Sequence, residues 1–391
     1  MSDPQAPTVS FWRDPQKRAI AFQIMVVVLV LAFFLYLFNN TLDNLEQRGI
    51  STGFGFLWLE SGFEILLTLI PYDAASTYGR TFLVGLLNTI LVSIIGIFFA
   101  TVIGFVMGVA RLSNNWLIKQ LASVYIGTFR NIPLLLQIVF WYFVFQNLLP
   151  HPRESMVLGD TIFLNQRGLY VPAPVEQDGM GIVMMTLLAA IAAIVVLSRW
   201  AKRRQDDTGR QFPVFWISLA VIVGLPGLVF LAMGMPLSWD YPSLQGFNFR
   251  GGITVIPELF ALALALAAYT AAFIAEIVRS GIQAVSHGQT EAAHALGVRP
   301  STTLRLVVIP QAMRVIIPQM TSQYLNLTKN SSLAPAIGYP DLVAVFAGTT
   351  LNNTGQAVEI IAMTMGVYLL LSLLISVFMN WYNKKMALVE R

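Results

Sequence analysis

The chain has 391 residues, of which 56% are hydrophobic and 11% are charged. In soluble domains about a quarter of all residues are charged. This composition therefore excludes an ordinary soluble domain and indicates a protein with several membrane spans. The chain has no cysteine and three separated histidines, which excludes disulfides, thiol catalysis and a cysteine metal site. Its net charge of +4 does not indicate a nucleic-acid partner.

Eight segments are apolar over a length that fits a membrane span. A hydrocarbon core about 30 Å thick needs about 20 residues of helix. The first segment is too long for the apolar part of a signal peptide, so we expect a retained helix. A shorter apolar stretch, 54–70, carries Glu60 and Glu64 on one helical face, which favours either a helix at the membrane interface or a buried helix of an outside loop. The predicted spans are 20–38, 81–110, 121–149, 181–198, 213–234, 257–278, 304–328 and 358–381.

Basic residues are distributed unequally between the two sides that these spans define. With the N-terminus in the cytoplasm, Arg305 counted with the inside loop before it and Lys329 counted with its span, the inside segments hold 16 lysines and arginines and the outside segments hold 5. Cytoplasmic loops of membrane proteins carry such an excess. We therefore predict a multi-pass protein with both termini in the cytoplasm, which makes the connection 279–303 cytoplasmic.

This cytoplasmic connection contains the start and stop signals of a short helix. Ser286 and Gln289 have the spacing of a capping box, and Glu291 lies in the first turn, where a carboxylate interacts favourably with the helix dipole. Gly297 stands where helices commonly end in a left-handed residue. The pattern predicts a helix of about two turns outside the bilayer. It is either an element that transmits motion or a surface helix that only joins two spans.

The residues of this helix are part of a longer pattern. Glu291-Ala292-Ala293 is followed by Gly297 and then by Ile309-Pro310, and this spacing resembles the EAA loop of bacterial ABC importer permeases. The chain as a whole, with its extra N-terminal span and its apolar insert, resembles the long general L-amino-acid permease subunits. Three further stretches resemble polar amino-acid permeases of this class, namely Tyr125–Gln137, Ala268–Ile282 and Asn326–Ala334.

The resemblance implies an all-α fold, the transmembrane domain of a type I ABC importer in a bacterial inner membrane, which moves amino acids from periplasm to cytoplasm. It implies three partners: an ABC ATPase dimer, a second permease subunit that is related but different, and a periplasmic amino-acid-binding protein. The dipeptide Gly-Lys never occurs, so the chain cannot form a P-loop. We therefore predict no enzymatic activity and no cofactor in this chain, with ATP and magnesium bound by the ATPase. The resemblance assigns ATPase coupling to Glu291, Ala292, Ala293, Gly297 and Pro310.

The same resemblance divides the chain into a permease core and added segments. Relatives commonly have an acidic residue where Asn330 stands, so a carboxylate role is lost there. The usual core has five spans, and an insert of two spans leaves the helix after it in the same orientation. The predicted divisions are a tail, span and outside segment (1–80), the permease core (81–150 and 256–382), an insert with outside loops and two spans (151–255) and a cytoplasmic tail (383–391).

Span 304–328 carries an unusual polar face. Amides at helical spacing supply both donors and acceptors, which a zwitterionic amino acid requires. This face therefore either forms a wall of the substrate pathway or makes hydrogen bonds to neighbouring helices. Lys329 either binds a carboxylate or extends its ammonium group to the outer interface. Gln137, in span 121–149, has the same two interpretations as the polar face. The candidate pathway residues are Gln137, Gln319, Gln323, Asn326, Lys329 and Asn330.

Other features bear on packing and on the class of transporter. We predict an ion pair between Glu276 and Arg279, an interfacial anchor at Arg130, and close helix packing along Ala100, Gly104 and Gly108. An alternative class is an ion-coupled secondary amino-acid transporter, which needs carboxylates inside the membrane for the coupling ion. A third is a membrane assembly protein without transport, which would not need the polar face.

Overall fold

The computed structural model describes residues 15–47, 49 and 52–386, without the side chains of Leu42, Leu45 and Glu46. The predicted tails before residue 15 and after residue 386 lie outside the described residues. The helices are α1 (Pro15–Gln47), α2 (Tyr78–Ala110), α3 (Trp116–Asn131), α4 (Leu134–Leu148), α5 (Met180–Thr208), α6 (Val214–Ala232), α7 (Pro257–Gln283), α8 (His287–Ala295), α9 (Pro300–Thr303), α10 (Ile309–Asn330), α11 (Leu351–Thr354) and α12 (Ala357–Met386). Short 3-10 segments are Phe54–Trp58, Pro152–Glu154 and Ser331–Ile337, and π-helical segments are Leu304–Val308 and Val343–Thr350.

Among the described helices, six are long and apolar enough to cross a membrane, and the number is seven if α3 and α4 form one broken span. The six are α1, α2, α5, α6, α7 and α12. The sequence predicts eight spans; beyond the six, one corresponds to the broken pair α3 and α4, and the other to α10. This helix has 22 residues, but its amides and two basic residues, Arg314 and Lys329, make it too polar to qualify by composition.

Helices α3 and α4 occupy the segment that the sequence predicted as one continuous span. The break falls at Ile132 and Pro133, and Ile132 is extended with φ −94° and ψ 128°. Proline has no N–H to donate, and its ring keeps the preceding residue out of the helical conformation. Helix α3 also starts earlier than predicted, because the Asn115 side chain accepts a hydrogen bond from the backbone N–H of Leu117 at 3.0 Å.

The described residues form two compact units, one from the residues up to Pro133 together with those from Leu266 onward, and the other from Leu134–Ala265. In the first unit, glycines let α2 pack closely on α7. A Cβ atom at Gly104 would lie 2.6 Å from the Cβ of Ile274, and one at Gly108 would lie 2.7 Å from the carbonyl oxygen of Ala275. Carbon atoms do not approach so closely, so the predicted packing role of the small residues is confirmed.

A buried polar cluster holds α2 to the chain that follows α10. The amide nitrogen of Asn88 donates to the carbonyl oxygens of Leu67 at 2.8 Å and Pro340 at 2.9 Å. The Tyr339 hydroxyl donates to the carbonyl oxygen of Asn88 at 2.9 Å. Buried polar groups are costly unless bonded, so these contacts favour one packing of the unit. The apolar cluster in the same unit consists of Phe56, Tyr78, Leu342, Phe346, Ile360 and Val367.

The segment before α2 is a folded loop, and the predicted interface helix over 54–70 is wrong. Of its residues, Phe54–Trp58 are helical, as a single 3-10 segment. The backbone N–H of Ser61 then donates to the carbonyl oxygen of Ser76 at 2.8 Å, which pairs the two ends of the loop. Gly62 has φ +74°, a left-handed conformation that ends any helical path.

The second unit also contains short β-strands in segments that the sequence predicts as loops, whereas helices dominate the chain and the predicted all-α class is confirmed. The strands form a four-stranded antiparallel sheet in the order β1-β2-β3-β8 and two antiparallel pairs, β4-β5 and β6-β7. Their bounds are β1 (Met156–Leu158), β2 (Ile162–Asn165), β3 (Gly168–Val171), β4 (Ala173–Glu176), β5 (Leu237–Asp240), β6 (Ser243–Gln245), β7 (Asn248–Arg250) and β8 (Ile253–Val255).

These short strands share an aromatic core. The ring of Phe249 lies 4.6 Å from the ring of Phe163 and 4.8 Å from the ring of Tyr170, measured between centroids. Asn165 is fully buried, and its amide nitrogen donates to the hydroxyl of Ser155 at 2.9 Å. Strands of three or four residues carry too little alternation to be recognised, so the sequence showed their Gly- and Pro-rich turns and not the strands.

Candidate coupling helix and polar cavity

Helix α8 is the helix that the start and stop signals predicted. Its N-cap is Ser286, but the serine side chain accepts no capping hydrogen bond, so the predicted capping box is not formed. The backbone N–H of Gln289 instead donates to the carbonyl oxygen of Ser286 at 3.0 Å. The helix therefore starts with a backbone turn.

The end of α8 is fixed by Gly297. This residue has φ +71°, and its N–H donates to the carbonyl oxygen of His294 at 2.9 Å. The N–H of Val298 donates to the carbonyl oxygen of Ala293 at 3.1 Å. Together these bonds form a Schellman motif, which ends a helix in a defined direction. The predicted position of Gly297 just after the helix is confirmed.

Most of α8 is exposed. Ala293 is buried against the rest of its unit, whereas Glu291 and Ala292 point outward. Leu296, the residue after the helix, has 83% of its surface exposed. A leucine held this far out of the protein by a rigid turn is available for contact with a partner.

The chain re-enters the apolar part of its unit through α9 and a π-helical segment. This segment, Leu304–Val308, ends where α10 begins, and Pro310 lies in the first turn of α10. Proline has no backbone N–H to donate, and the hydrogen-bond pattern changes here from π-helical to α-helical. Four of the predicted coupling residues therefore lie in or just after α8, within the connection between α7 and α10, and Pro310 lies in the first turn of α10.

An ion cluster joins the ends of α2 and α7. The Glu276 carboxylate forms ion pairs with Arg111, the C-cap residue of α2, and with Arg279. The Glu276–Arg279 pair was predicted from its spacing on one helix and is confirmed. The Arg111 contact was missed, because 165 residues separate the two partners in the chain. All three side chains keep a quarter or more of their surface exposed, so the cluster orients helices more than it stabilises them.

Arg130 lies beside this cluster, in the last turn of α3. Its guanidinium lies 5.1 Å from the centre of the Phe273 ring. The hydroxyl of Tyr125, one and a half turns earlier, donates to the carbonyl oxygen of Ala268 at 2.8 Å, which holds α3 on α7. The sequence predicts that Arg130 is an anchor at the membrane interface. The structure places it on the wall of a cavity.

This cavity has a volume of about 380 Å³. It brings together two of the predicted pathway residues, Gln319 and Gln323, with charged and aromatic groups that the polar-face argument did not include. Its walls are Arg130, Phe273, Glu276, Ile277, Ser280, Gln319, Ser322 and Gln323.

The other predicted pathway residues lie outside this cavity. Asn326 and Lys329 continue the polar face of α10 and are exposed, and Asn330 is half-buried at its end. Gln137 lies in α4, in the second unit, and is buried with 4% of its surface exposed. Ser322 was missed because a single serine on a helix carries no sequence signal.

Long apolar helices, a polar helix with a cavity, and an exposed helix in a connection together define a membrane-embedded transport subunit. Residues 100–388 match the family described as "Binding-protein-dependent transport system inner membrane component". The chain belongs to this family. It is therefore the membrane component of an ABC importer, and the ion-coupled transporter and the assembly protein without transport are excluded as classes.

Three curated relatives match over nearly their whole length. The chain is 55% identical over 378 residues to a putative amino-acid ABC transporter permease protein, YhdX, of Escherichia coli, covering 97% of this chain and 96% of the relative. It is 54% identical to the general L-amino acid transport system permease protein AapQ of Rhizobium johnstonii, covering 97% and 94%. It is 42% identical to the glutamate/glutamine/aspartate/asparagine transport system permease protein BztB of Rhodobacter capsulatus, covering 97% and 96%.

Proposed function

We propose that this chain is one of two permease subunits of an importer that moves L-amino acids from the periplasm to the cytoplasm, with energy from a separate ATPase. The names of its relatives, which include a general L-amino acid permease, support amino acids as the substrate class. The proposed assembly adds an ABC ATPase dimer that binds ATP and magnesium, a second and related permease, and a periplasmic amino-acid-binding protein. Both termini of this chain lie in the cytoplasm.

The geometry of α8 carries the coupling part of this proposal. A short helix that is buried on one side at Ala293, and exposed at Glu291 and Leu296, fits a groove on another protein. Its ends are fixed by backbone hydrogen bonds. A displacement of α8 would therefore be transmitted to α7 and, through Pro310, to α10. ATP-driven closure of the ATPase would move α8, and α7 and α10 would change the accessibility of the pathway.

The cavity supplies groups that suit a zwitterion. Phe273 covers one face of the Arg130 guanidinium, which leaves the N–H groups along its edge for a carboxylate. The amides of Gln319 and Gln323 donate and accept, and Glu276 offers oxygen to an ammonium group. A volume of about 380 Å³ is in the range of about 300–1,000 Å³ that small-molecule sites occupy.

The remaining candidates extend this pathway. Asn326, Lys329 and Asn330 follow Gln323 on the same face of α10, and polar side chains in a membrane face water or protein in preference to lipid. We place them on the outward side of the cavity, where the second permease completes the wall. Gln137 remains a proposed pathway residue of α4.

Replacing both Gln319 and Gln323 with methionine tests the cavity. Methionine keeps the length of the side chain but removes its donors and acceptors, and a lost hydrogen bond to a charged ligand costs about 1.5–3 kcal/mol. We expect uptake of radiolabelled L-glutamate and L-leucine into proteoliposomes to fall at least tenfold, while the ATPase still co-purifies with the permease. The matched control is Gln311→Met, an amide on the same helix outside the cavity, which should transport normally. Unchanged uptake in the double variant would remove these residues from the pathway.

The energy source is tested with the reconstituted wild-type complex. Uptake should require ATP on the ATPase side and should continue when proton and sodium gradients are collapsed by ionophores. Uptake that follows an ion gradient without ATP contradicts the proposal.

A further inference from the structure

The folded part of the second unit, residues 150–179 and 233–256, contains a surface that has no part in the proposed substrate cavity or in the proposed ATPase coupling. On it, two arginines converge on one exposed phenylalanine. The Arg153 guanidinium lies 4.8 Å from the centre of the Phe247 ring, and the Arg167 guanidinium donates to the carbonyl oxygen of Phe247 at 2.9 Å. Phe247 nevertheless has 73% of its surface exposed. We call Arg153, Arg167 and Phe247 the Arg–Phe cluster.

The Arg–Phe cluster borders a cavity of about 350 Å³. Gln166, His151 and Glu154 line it, and the Gln166 amide nitrogen lies 2.8 Å from the His151 ring nitrogen Nδ1. Strand β1, which follows directly, forms one edge of the four-stranded sheet. Its three side chains, Met156, Val157 and Leu158, are all exposed. The cluster and this edge form a basic, aromatic and apolar surface on a folded scaffold.

The helices of the same unit place this surface outside the cytoplasm. Helix α5 is 29 residues long, about 43 Å at 1.5 Å per residue, so its two ends lie on opposite sides of a core about 30 Å thick. Its last turns and the connection to α6 carry Arg199, Lys202, Arg203, Arg204 and Arg210, which marks the cytoplasmic side. All eight strands precede α5 or follow α6, and therefore lie at the opposite end.

We infer that this surface is the docking site on this chain for the periplasmic binding protein, which inserts carboxylates against Arg153 and Arg167 and receives Phe247 in an apolar recess. The inference rests on the proposed function. The family to which the chain belongs depends on a binding protein, so a soluble partner must meet the outer face. Arginine and aromatic residues dominate the binding energy of protein interfaces, and the cluster presents both on a rigid sheet.

The composition favours this partner over the lipid surface. A lipid-facing strand carries apolar side chains without converging charges, whereas here two guanidinium groups contact one phenylalanine beside a cavity, Arg153 at its ring and Arg167 at its carbonyl oxygen. Complementary charges at the rim of an interface increase the association rate and make it sensitive to salt. A transporter that must bind and release its binding protein in every cycle requires fast, reversible association of this kind.

The test measures the concentration of binding protein that half-saturates ATPase activity in nanodiscs holding the full importer. The probe is the periplasmic amino-acid-binding protein of the same importer, loaded with L-glutamate. We expect Arg153→Glu with Arg167→Glu to raise this concentration at least tenfold, and Phe247→Ser to raise it similarly, with the maximal rate at saturation preserved. Because charges contribute, the half-saturating concentration of the wild type should rise more steeply with salt than that of the charge-reversed variant.

The matched control is Arg250→Glu, a charge reversal at an exposed residue of β7 that is outside the cluster. It should change the half-saturating concentration less than twofold. A doubly reversed variant that assembles, melts at the wild-type temperature and keeps wild-type half-saturation overturns the inference, as does an effect that appears only when the nanodisc lipids are changed from neutral to anionic. Failure of the proposed function is a different result, because the wild-type importer would then show no ATP-driven uptake at any concentration of binding protein.

Discussion

Replacing Gly297 with valine should disconnect this subunit from its ATPase. Gly297 has φ +71°, where a β-branched residue is strongly disfavoured, at about 1–2 kcal/mol for an ordinary L-residue. The Schellman motif would open, and Leu296 would no longer be held in its exposed position. Since 1–2 kcal/mol corresponds to about a 5- to 30-fold change in an equilibrium, we expect the affinity for the ATPase to fall by that factor and transport to fall with it.

The measurement is the amount of ATPase that co-purifies with the permease from detergent, together with uptake in proteoliposomes. Gly297→Asn is the control for backbone conformation, because asparagine tolerates the left-handed region, and this variant should keep most of the coupling. A second control, Ser301→Asp on α9, places a charge near α8 without changing its end. Full ATPase recovery with the valine variant would show that the end of α8 does not set the contact.

Enlarging the glycines between α2 and α7 should have the largest effect on stability. A Cβ atom at Gly104 would lie 2.6 Å from both Cβ and Cγ2 of Ile274, and this Cβ cannot move without the backbone of α7. Extra volume in a packed interior costs about 1–3 kcal/mol where side chains can adjust, and leucine at this position leaves them no room to adjust. We expect Gly104→Leu to lower the thermal midpoint of the solubilised chain by more than about 5 °C, or to prevent assembly, since about 1 kcal/mol shifts the midpoint of a domain of 150–250 residues by 2–4 °C.

The control is Gly127→Leu on α3, where an added Cβ would have no neighbour within 4 Å. This variant should unfold at the wild-type temperature or slightly above, because leucine is the better helix former. Thermal unfolding followed by tryptophan fluorescence, with size-exclusion chromatography of the assembled complex, distinguishes the two. Equal midpoints for both variants would contradict the close contact of α2 with α7.

Features that depend on local backbone chemistry could be predicted from the sequence. Gly297 was recognised because a helix end needs a residue that tolerates positive φ, and the small residues of α2 because their spacing follows one helical face. The Glu276–Arg279 pair lies within one turn of α7 and was predicted for the same reason. The break between α3 and α4 was harder to predict. Pro133 lies in a run of apolar residues that is long enough for one span, so composition alone predicts a continuous helix although a proline commonly ends the helix before it.

Features that depend on distant parts of the chain could not be predicted. Arg111 reaches Glu276 across 165 residues, and Arg130 reaches Phe273 because α3 packs on α7 through Tyr125. Strands of the second unit pair residues before α5 with residues after α6; Val171, for example, pairs with Ile253. A strand of three residues is also too short to show a periodic pattern in the sequence. The sequence places Gln319 and Gln323 on one face of α10, but tertiary information was needed to place that face in one cavity with Arg130, Phe273 and Glu276.

The position of α8 is the central claim, and the absence of cysteine from this chain makes it directly measurable. A single substitution, Glu291→Cys, places a thiol on the exposed side of α8. In inside-out vesicles a membrane-impermeant maleimide should label it when the ATPase is stripped off, and a short bifunctional reagent should cross-link it to the ATPase in the intact complex. Labelling from the periplasmic side in right-side-out vesicles, or an intact complex without any cross-link to the ATPase, would contradict the account.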